Sequence, residues 1–255
     1  GRNIYHKGET INSVDCGYNE DFYGQFTKAV GIRNISETHN IEILPYGAMR
    51  YSKGKSFSEE EAAVGFDAKL GLATSLILEG SFAPDFSQVE SDPFFVNFSP
   101  YEYQFVENRQ FFNEGANYFA LPNSLFYSRR IESPKMMGKL TGKEQSWNIG
   151  AITAWDAPEA SDEKMIYALR LQKDVFKTSK VGIMMSGFET KSSGYNRNIS
   201  IDGQFSKGAE HHLQFQIAST FNTGISNNEN TLLYLNHSIP KIEGINYSLT
   251  YLDIG

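Results

Sequence analysis

From about Gly138 onward, apolar and polar residues alternate with a period of two, and this constrains the fold more than any other feature of the chain. Trp147, Ile149, Ala151, Thr153 and Trp155 alternate with Asn148, Gly150, Ile152 and Ala154. Met165, Tyr167, Leu169 and Leu171 alternate with Ala168, Arg170 and Gln172, and Ile199, Ile201 and Phe205 with Asn198, Ser200, Asp202 and Gln204. Leu213, Phe215 and Ile217 oppose His212, Gln214 and Gln216, and Ile245, Tyr247, Leu249 and Tyr251 close the series. Successive side chains leave a strand on opposite sides, so such runs are strands with one apolar and one polar face. Short polar segments separate them: Asp156-Ala-Pro-Glu, Ser192-Ser-Gly, Lys207-Gly-Ala-Glu and Ser226-Asn-Asn-Glu-Asn. No convincing helix intervenes, which makes the connections antiparallel hairpins. The amino-terminal half repeats the theme less regularly, with Val64, Phe66, Ala68 and Leu70 opposing Gly65, Asp67, Lys69 and Gly71.

Two architectures fit. A soluble β-sandwich buries the apolar faces between sheets and uses strands of about five or six residues. A transmembrane barrel turns those faces to lipid and uses strands of about nine to eleven. The run lengths favour the barrel, as does a polar face rich in Asn, Gln, Ser and Gly. Trp147 and Trp155 share one face, roughly 26 Å apart along an extended strand. With barrel tilt this becomes roughly 20 Å of membrane normal, close to the spacing of two aromatic girdles. Two tryptophans of a soluble core is the plainer reading. On a barrel, Phe215→Arg would be costly and Gln216→Arg well tolerated.

Composition removes other classes. A formal net charge of −7 without any Lys/Arg block argues against a nucleic-acid surface. A single cysteine, Cys16, excludes an internal disulfide and a Cys-rich zinc site. No stretch approaches the ~18 apolar residues of a helical span. Gly1-Arg-Asn-Ile has neither the charged head nor the apolar core of a signal peptide, so an exported protein would be a mature or trimmed piece here. No G-x-S-x-G, H-E-x-x-H or phosphate-loop pattern occurs. His211 and His212 point to opposite faces of a strand and cannot readily chelate one metal. The aromatic run Tyr101 to Phe105 suits sugar stacking and strand packing equally.

The region from Asp67 to Ile131 is unlike the ladder. Asp67, Lys69, Gly71 and Leu72 form one motif, D-x-K-x-G-L. Pro84, Asp85, Phe86, Gln88, Val89, Glu90 and Asp92 form a second, with Ala83 ahead of them. Glu107, Arg109, Phe111, Phe112 and Glu114 form a third, and Phe126, Tyr127, Ser128, Arg129, Arg130 and Ile131 a fourth. In this order and spacing they resemble an uncharacterised family, a domain of unknown function that usually follows a family-nine-type carbohydrate-binding domain in Bacteroidetes-like surface proteins. In that family the second motif begins with Asn, Val106 and Gln110 stand where prolines are usual, and the fourth motif is read as a strand. The resemblance covers the chain from about Glu42 onward. It implies an outer-membrane barrel, a cell outer membrane location, lipid as partner, and glycan or polymer handling through a preceding domain or other surface proteins. Family members are usually longer, and Tyr251-Leu-Asp-Ile-Gly lacks the terminal aromatic common in such barrels, so these residues are expected to be part of one.

The motif region carries a physical reading of its own. Asp85, Glu90, Asp92, Glu102, Glu107 and Glu114 supply carboxylates that Arg109, Arg129 and Arg130 can engage through forked hydrogen bonds. With Gln88, these residues are expected to form a lumenal network that anchors an in-folded polar loop. A calcium site on Asp85, Glu90 and Asp92 is an alternative, the one cofactor entertained. A carboxylate pair for glycoside hydrolysis is another. The expected fold is therefore all-β: an antiparallel up-and-down outer-membrane barrel, seen in part, with residues 41–255 as the barrel, 64–131 as its motif-bearing segment, and 1–40 as a lead-in, linker or first strand. The expected function is a non-enzymatic surface anchor, channel or uptake component. A membrane-associated hydrolase using the carboxylate cluster and a soluble β-sandwich binding module are the alternatives.

Overall fold

The alternating runs become one hydrogen-bonded sheet. The structure, a computed structural model, describes residues 2–4, 9–11, 40–53, 58–73, 75–86, 98, 102–159, 161–176, 178–192, 194–207, 211–223, 230–242 and 245–254. Arg2–Ile4 (β1) and Glu9–Ile11 (β2) pair with each other. The main sheet follows, as β3 (Ile41–Lys53), β4 (Ser58–Ala73), β5 (Leu76–Phe82), β6 (Pro134–Glu144), β7 (Trp147–Asp156), β8 (Lys164–Val175), β9 (Ser179–Thr190), β10 (Tyr195–Lys207), β11 (His211–Asn222), β12 (Thr231–Ile242) and β13 (Ile245–Ile254). Among the described residues these eleven strands lie in chain order, each antiparallel to the next. This is the up-and-down topology that short hairpin connections dictate. β3 and β13 are the two edges and do not pair with each other, so the sheet is open rather than closed into a barrel.

The two faces have different character. Trp147, Trp155, Met165, Leu169, Leu171, Ile183, Met185, Ile199, Ile201, Ile217, Leu233 and Leu235 point to one side, each between 36% and 54% exposed. The other side is mixed: Lys139, Thr141, Asp156, Arg170, Ser186, Ser200, Asp202 and Gln216 are buried there together with Met137, Ile152, Ala154, Ile166, Ala168 and Met184. A water-soluble sheet with one covered face buries its apolar side.

What covers this side is the connection between β5 and β6, residues 83–133, as far as it is described (83–86, 98 and 102–133). Its described part contains one helical turn, α1 (Gln110–Asn113), and two 3-10 turns, Ala116–Phe119 and Ser128–Arg130. Phe112 and Ile131 of this segment pack with Met137, Ile152, Ala154, Ile166, Ala168 and Met184 of the sheet into a core. Phe119, Leu121 and Phe126 seal its margin. The fourth motif, read as a strand in the family pattern, is not one: Ser128–Arg130 turns as a 3-10 helix. The turn brings the Ser128 and Ile131 carbonyls round to one guanidinium, that of Arg109.

Candidate functional site

Arg109 organises the folded-in segment. It is 6% exposed. Its Nε and Nη2 donate to the Glu107 carboxylate at 2.8 and 2.7 Å, Nη1 donates to the Ile131 carbonyl at 2.6 Å, and Nη2 also to the Ser128 carbonyl at 2.9 Å. The guanidinium lies 4.2 Å from the Phe112 ring centroid and 5.1 Å from that of Phe86, within the range of a cation–π contact. Ser128 donates its hydroxyl to Glu107 at 2.6 Å. Burial opposes ionisation of Glu107, but the bonds from Arg109 and Ser128 outweigh it and hold the carboxyl below the ordinary glutamate range.

Further along, Gly115 is left-handed (φ 72°) and starts the Ala116–Phe119 turn. A Cβ there would meet the Thr141 hydroxyl at 2.9 Å, so glycine serves both the turn and the approach to β6. Glu114 accepts from Lys69 at 2.5 Å and from the Gln110 amide at 2.8 Å, which keeps its pKa low. Lys139 is buried and donates to the carbonyls of Phe111 and Glu114, with the Glu79 carboxylate 3.1 Å away. It belongs to a row of charges directly opposite one another across four strands, Glu42, Lys69, Glu79 and Lys139. Opposite charges in register stabilise neighbouring strands, and here the row also grips the segment above it.

At the far side of the segment, the Asn123 amide donates to Gln216 Oε1 at 2.7 Å and the Asn123 carbonyl accepts from Gln216 Nε2 at 3.0 Å. Ser186 donates to the Leu125 carbonyl at 2.8 Å. Where the chain re-enters the sheet, buried Asp156 accepts from the amides of Glu132 and Ser133 at 3.1 and 2.6 Å, with Lys164 Nζ 3.4 Å from its other oxygen.

The expected network residues are thus distributed over several partners. Glu107 and Arg109 meet each other; Arg130 pairs with Glu102 at the surface; Glu114 turns to Lys69 instead of an arginine. Arg129 is half-buried in the Ser128–Arg130 turn, and Asp85 is exposed at the rim of a cavity of about 570 Å³ that Tyr46, Asp67, Phe86 and Asn108 also line. Gln88, Val89, Glu90 and Asp92 lie outside the described residues, and with them most of the calcium expectation. Cys16 and Tyr101 lie outside them too. Among the described residues no group of three or more His, Cys, Asp or Glu side chains is placed to hold a metal ion. His212 is buried beside Ser206, while His211 stacks on His237.

The four motifs converge. Phe86 of the second packs on Arg109 of the third, Arg109 bonds to Ser128 and Ile131 of the fourth, and Glu114 of the third bonds to Lys69 of the first. Residues 39–153 match the family model of a domain of unknown function, DUF5916. The DUF5916 match covers just under half of the chain, from the residue before Asn40 through most of β7, and includes all four motifs and the folded-in segment. No curated protein and no solved structure matches the chain.

Lys139, Asp156 and Ser186 were not singled out from the sequence as groups that seat the segment, and Gln216 was read there only as an inward-pointing residue that would accept arginine. Their one signal was position: each is a polar residue on an inward-pointing phase of its strand. Many neighbours share that signal, and only the seating of the segment distinguishes these four.

Proposed function

We propose that this chain is the lipid-embedded sheet of an outer-membrane β-barrel, with segment 83–133 folded inside as a plug. The observation that carries the reading is the pattern of the faces: the outward one is apolar and left uncovered, while the inward one buries charged, amide and hydroxyl side chains beside its apolar core. In water an apolar face of this extent is an aggregation hazard; against acyl chains it is the favoured surface. β7 to β13, at 10 to 13 residues each, reach the ~9–11 residues that a tilted crossing needs. Trp147 and Trp155 stand near opposite ends of β7, with Lys173 5.1 Å from one ring and Lys135 5.3 Å from the other. Aromatic rings beside cations suit the two headgroup levels. No helix among the described residues is long and apolar enough to cross a membrane.

Lipid tolerates no open sheet edge, so in this reading β3 and β13 each gain a strand partner in the membrane. Glu107 and Glu114 of the folded-in segment are taken up by Arg109, Ser128, Lys69 and Gln110, which favours an anchor or transport component over a hydrolase. A role in glycan or polymer handling rests on the family's habit of following a carbohydrate-binding domain. The test is extraction and gel migration from cells that have an outer membrane. The protein should leave membranes only with detergent, and unheated and heated samples should migrate differently. Release by carbonate alone, without a heat-dependent shift, would sink the reading.

A further inference from the structure

The connections of the sheet sort by length according to the end at which they lie. At one end, the links β4–β5, β6–β7, β8–β9, β10–β11 and β12–β13 span two or three residues each. At the other, β3–β4, β7–β8, β9–β10 and β11–β12 span four to eight, and β5–β6 is the whole of 83–133. Short and long links alternate without exception along the described strands. Two-residue links are the minimum that reverses a strand and leave no room for a binding surface. Outer-membrane barrels divide in this way, with short turns on the periplasmic side and longer loops outside the cell.

We infer that the end bearing Glu159 and Ser192 faces the outside of the cell and the end bearing Glu144 and Thr178 faces the periplasm, an inference that rests on the membrane reading above. The folded-in segment leaves β5 at Phe82 and enters β6 at Pro134, both at the long-link end. It is therefore an external loop turned inward, held there by Lys139, Ser186 and Gln216 of the sheet. At the same end lies a cavity of about 280 Å³ between this loop and β8 to β10, lined by Phe126, Tyr127, Arg130, Lys164, Phe188 and Asn196. A molecule arriving from outside meets this surface of aromatic, amide and charged side chains first.

The test is labelling of single cysteines in the native host with a maleimide that cannot cross the outer membrane. Cys16, the chain's single cysteine, is first replaced (Cys16→Ser). Glu159→Cys, Ser192→Cys, Glu144→Cys and Thr178→Cys are then introduced one at a time, all at exposed link or strand-end positions. Heat-dependent gel migration identifies the variants that assemble. Labelling of 159 and 192 in intact cells, with 144 and 178 labelled only after the outer membrane is permeabilised, is the expected result. The reverse pattern overturns the orientation and leaves the membrane reading standing. Equal labelling of both ends under every condition overturns the membrane reading itself, because no membrane then separates them.

Discussion

Arg170 and Asp202 are joined by two parallel hydrogen bonds, Nη1 to Oδ1 at 2.5 Å and Nη2 to Oδ2 at 2.7 Å, although β9 runs between their strands. The pair closes because β9 presents Gly182 at the crossing, where a Cβ would lie 3.0 Å from Nη1 and 3.1 Å from Oδ1. Both side chains are buried, so removing one leaves a desolvated charge. Asp202→Ala should therefore cost about 3–5 kcal/mol, and the double replacement Arg170→Met with Asp202→Leu much less. Gly182→Val should cost about 1–3 kcal/mol by forcing the pair apart. Urea titrations of refolding into vesicles measure all three. Equal losses for the single and double replacements would remove the pair from the account of stability.

Ile217 tests the outward face more cleanly than Phe215, whose ring lies over Gly203 on the neighbouring strand. Ile217 is 54% exposed. Ile217→Arg should cost about 2–4 kcal/mol in a bilayer if the site lies near the midplane. Gln204, exposed and on the inward phase of β10, should accept arginine at much lower cost. Gln216, which the alternation alone offered as the tolerant control, cannot serve: it is 0% exposed and bonded to Asn123. Equal penalties for Ile217→Arg and Gln204→Arg in the same refolding assay would remove lipid from the outward face.

The folded-in segment should loosen in parts. Gln216→Leu leaves the Asn123 amide and carbonyl without their partner, a loss of about 1–3 kcal/mol. Lys139→Met removes the ammonium 3.1 Å from buried Glu79 and leaves it only the Lys69 charge opposite on β4, a loss of up to about 3–5 kcal/mol. Limited proteolysis reads the difference. Cleavage should rise near Asn123 in Gln216→Leu and near Glu114 in Lys139→Met, with the strands intact in both. An unchanged cleavage map in both variants would show that apolar packing alone holds the segment.

Acid should release the turn around Arg109. Glu107 has its pKa depressed in the folded state, so its contribution is present above the ordinary glutamate value of about 4.3 and is lost as pH falls below it, through the folded-state pKa. Protease protection of residues 105–131 should therefore fall on acidification below about pH 4. Glu107→Gln should start less protected and show a flatter acid profile. Identical profiles for the two proteins would locate the acid-sensitive group elsewhere.

The alternation of residues 146–251 determined the strands, their antiparallel order and which side chains share a face, because side-chain direction in a strand depends only on sequence parity. The same parity put Leu169 and Ile201 on one side and Arg170 and Asp202 on the other. Motif spacing determined that the region around Arg109 would leave the ladder, and Glu107 and Arg109, two residues apart, were near enough in sequence to meet. Lys69 and Glu114, or Gln216 and Asn123, were not: each pair joins a strand to a segment whose course depends on where its aromatic residues pack. Parity shows that Gln216 points inward but not what it meets there. That the chain covers its inward face with Phe112 and Ile131, over Met137, Ile152 and Met184, was decided only by tertiary structure. The physical reason is that burial energy is non-directional: the sequence marks which groups must leave water, and the contact is chosen by the shape into which they fit.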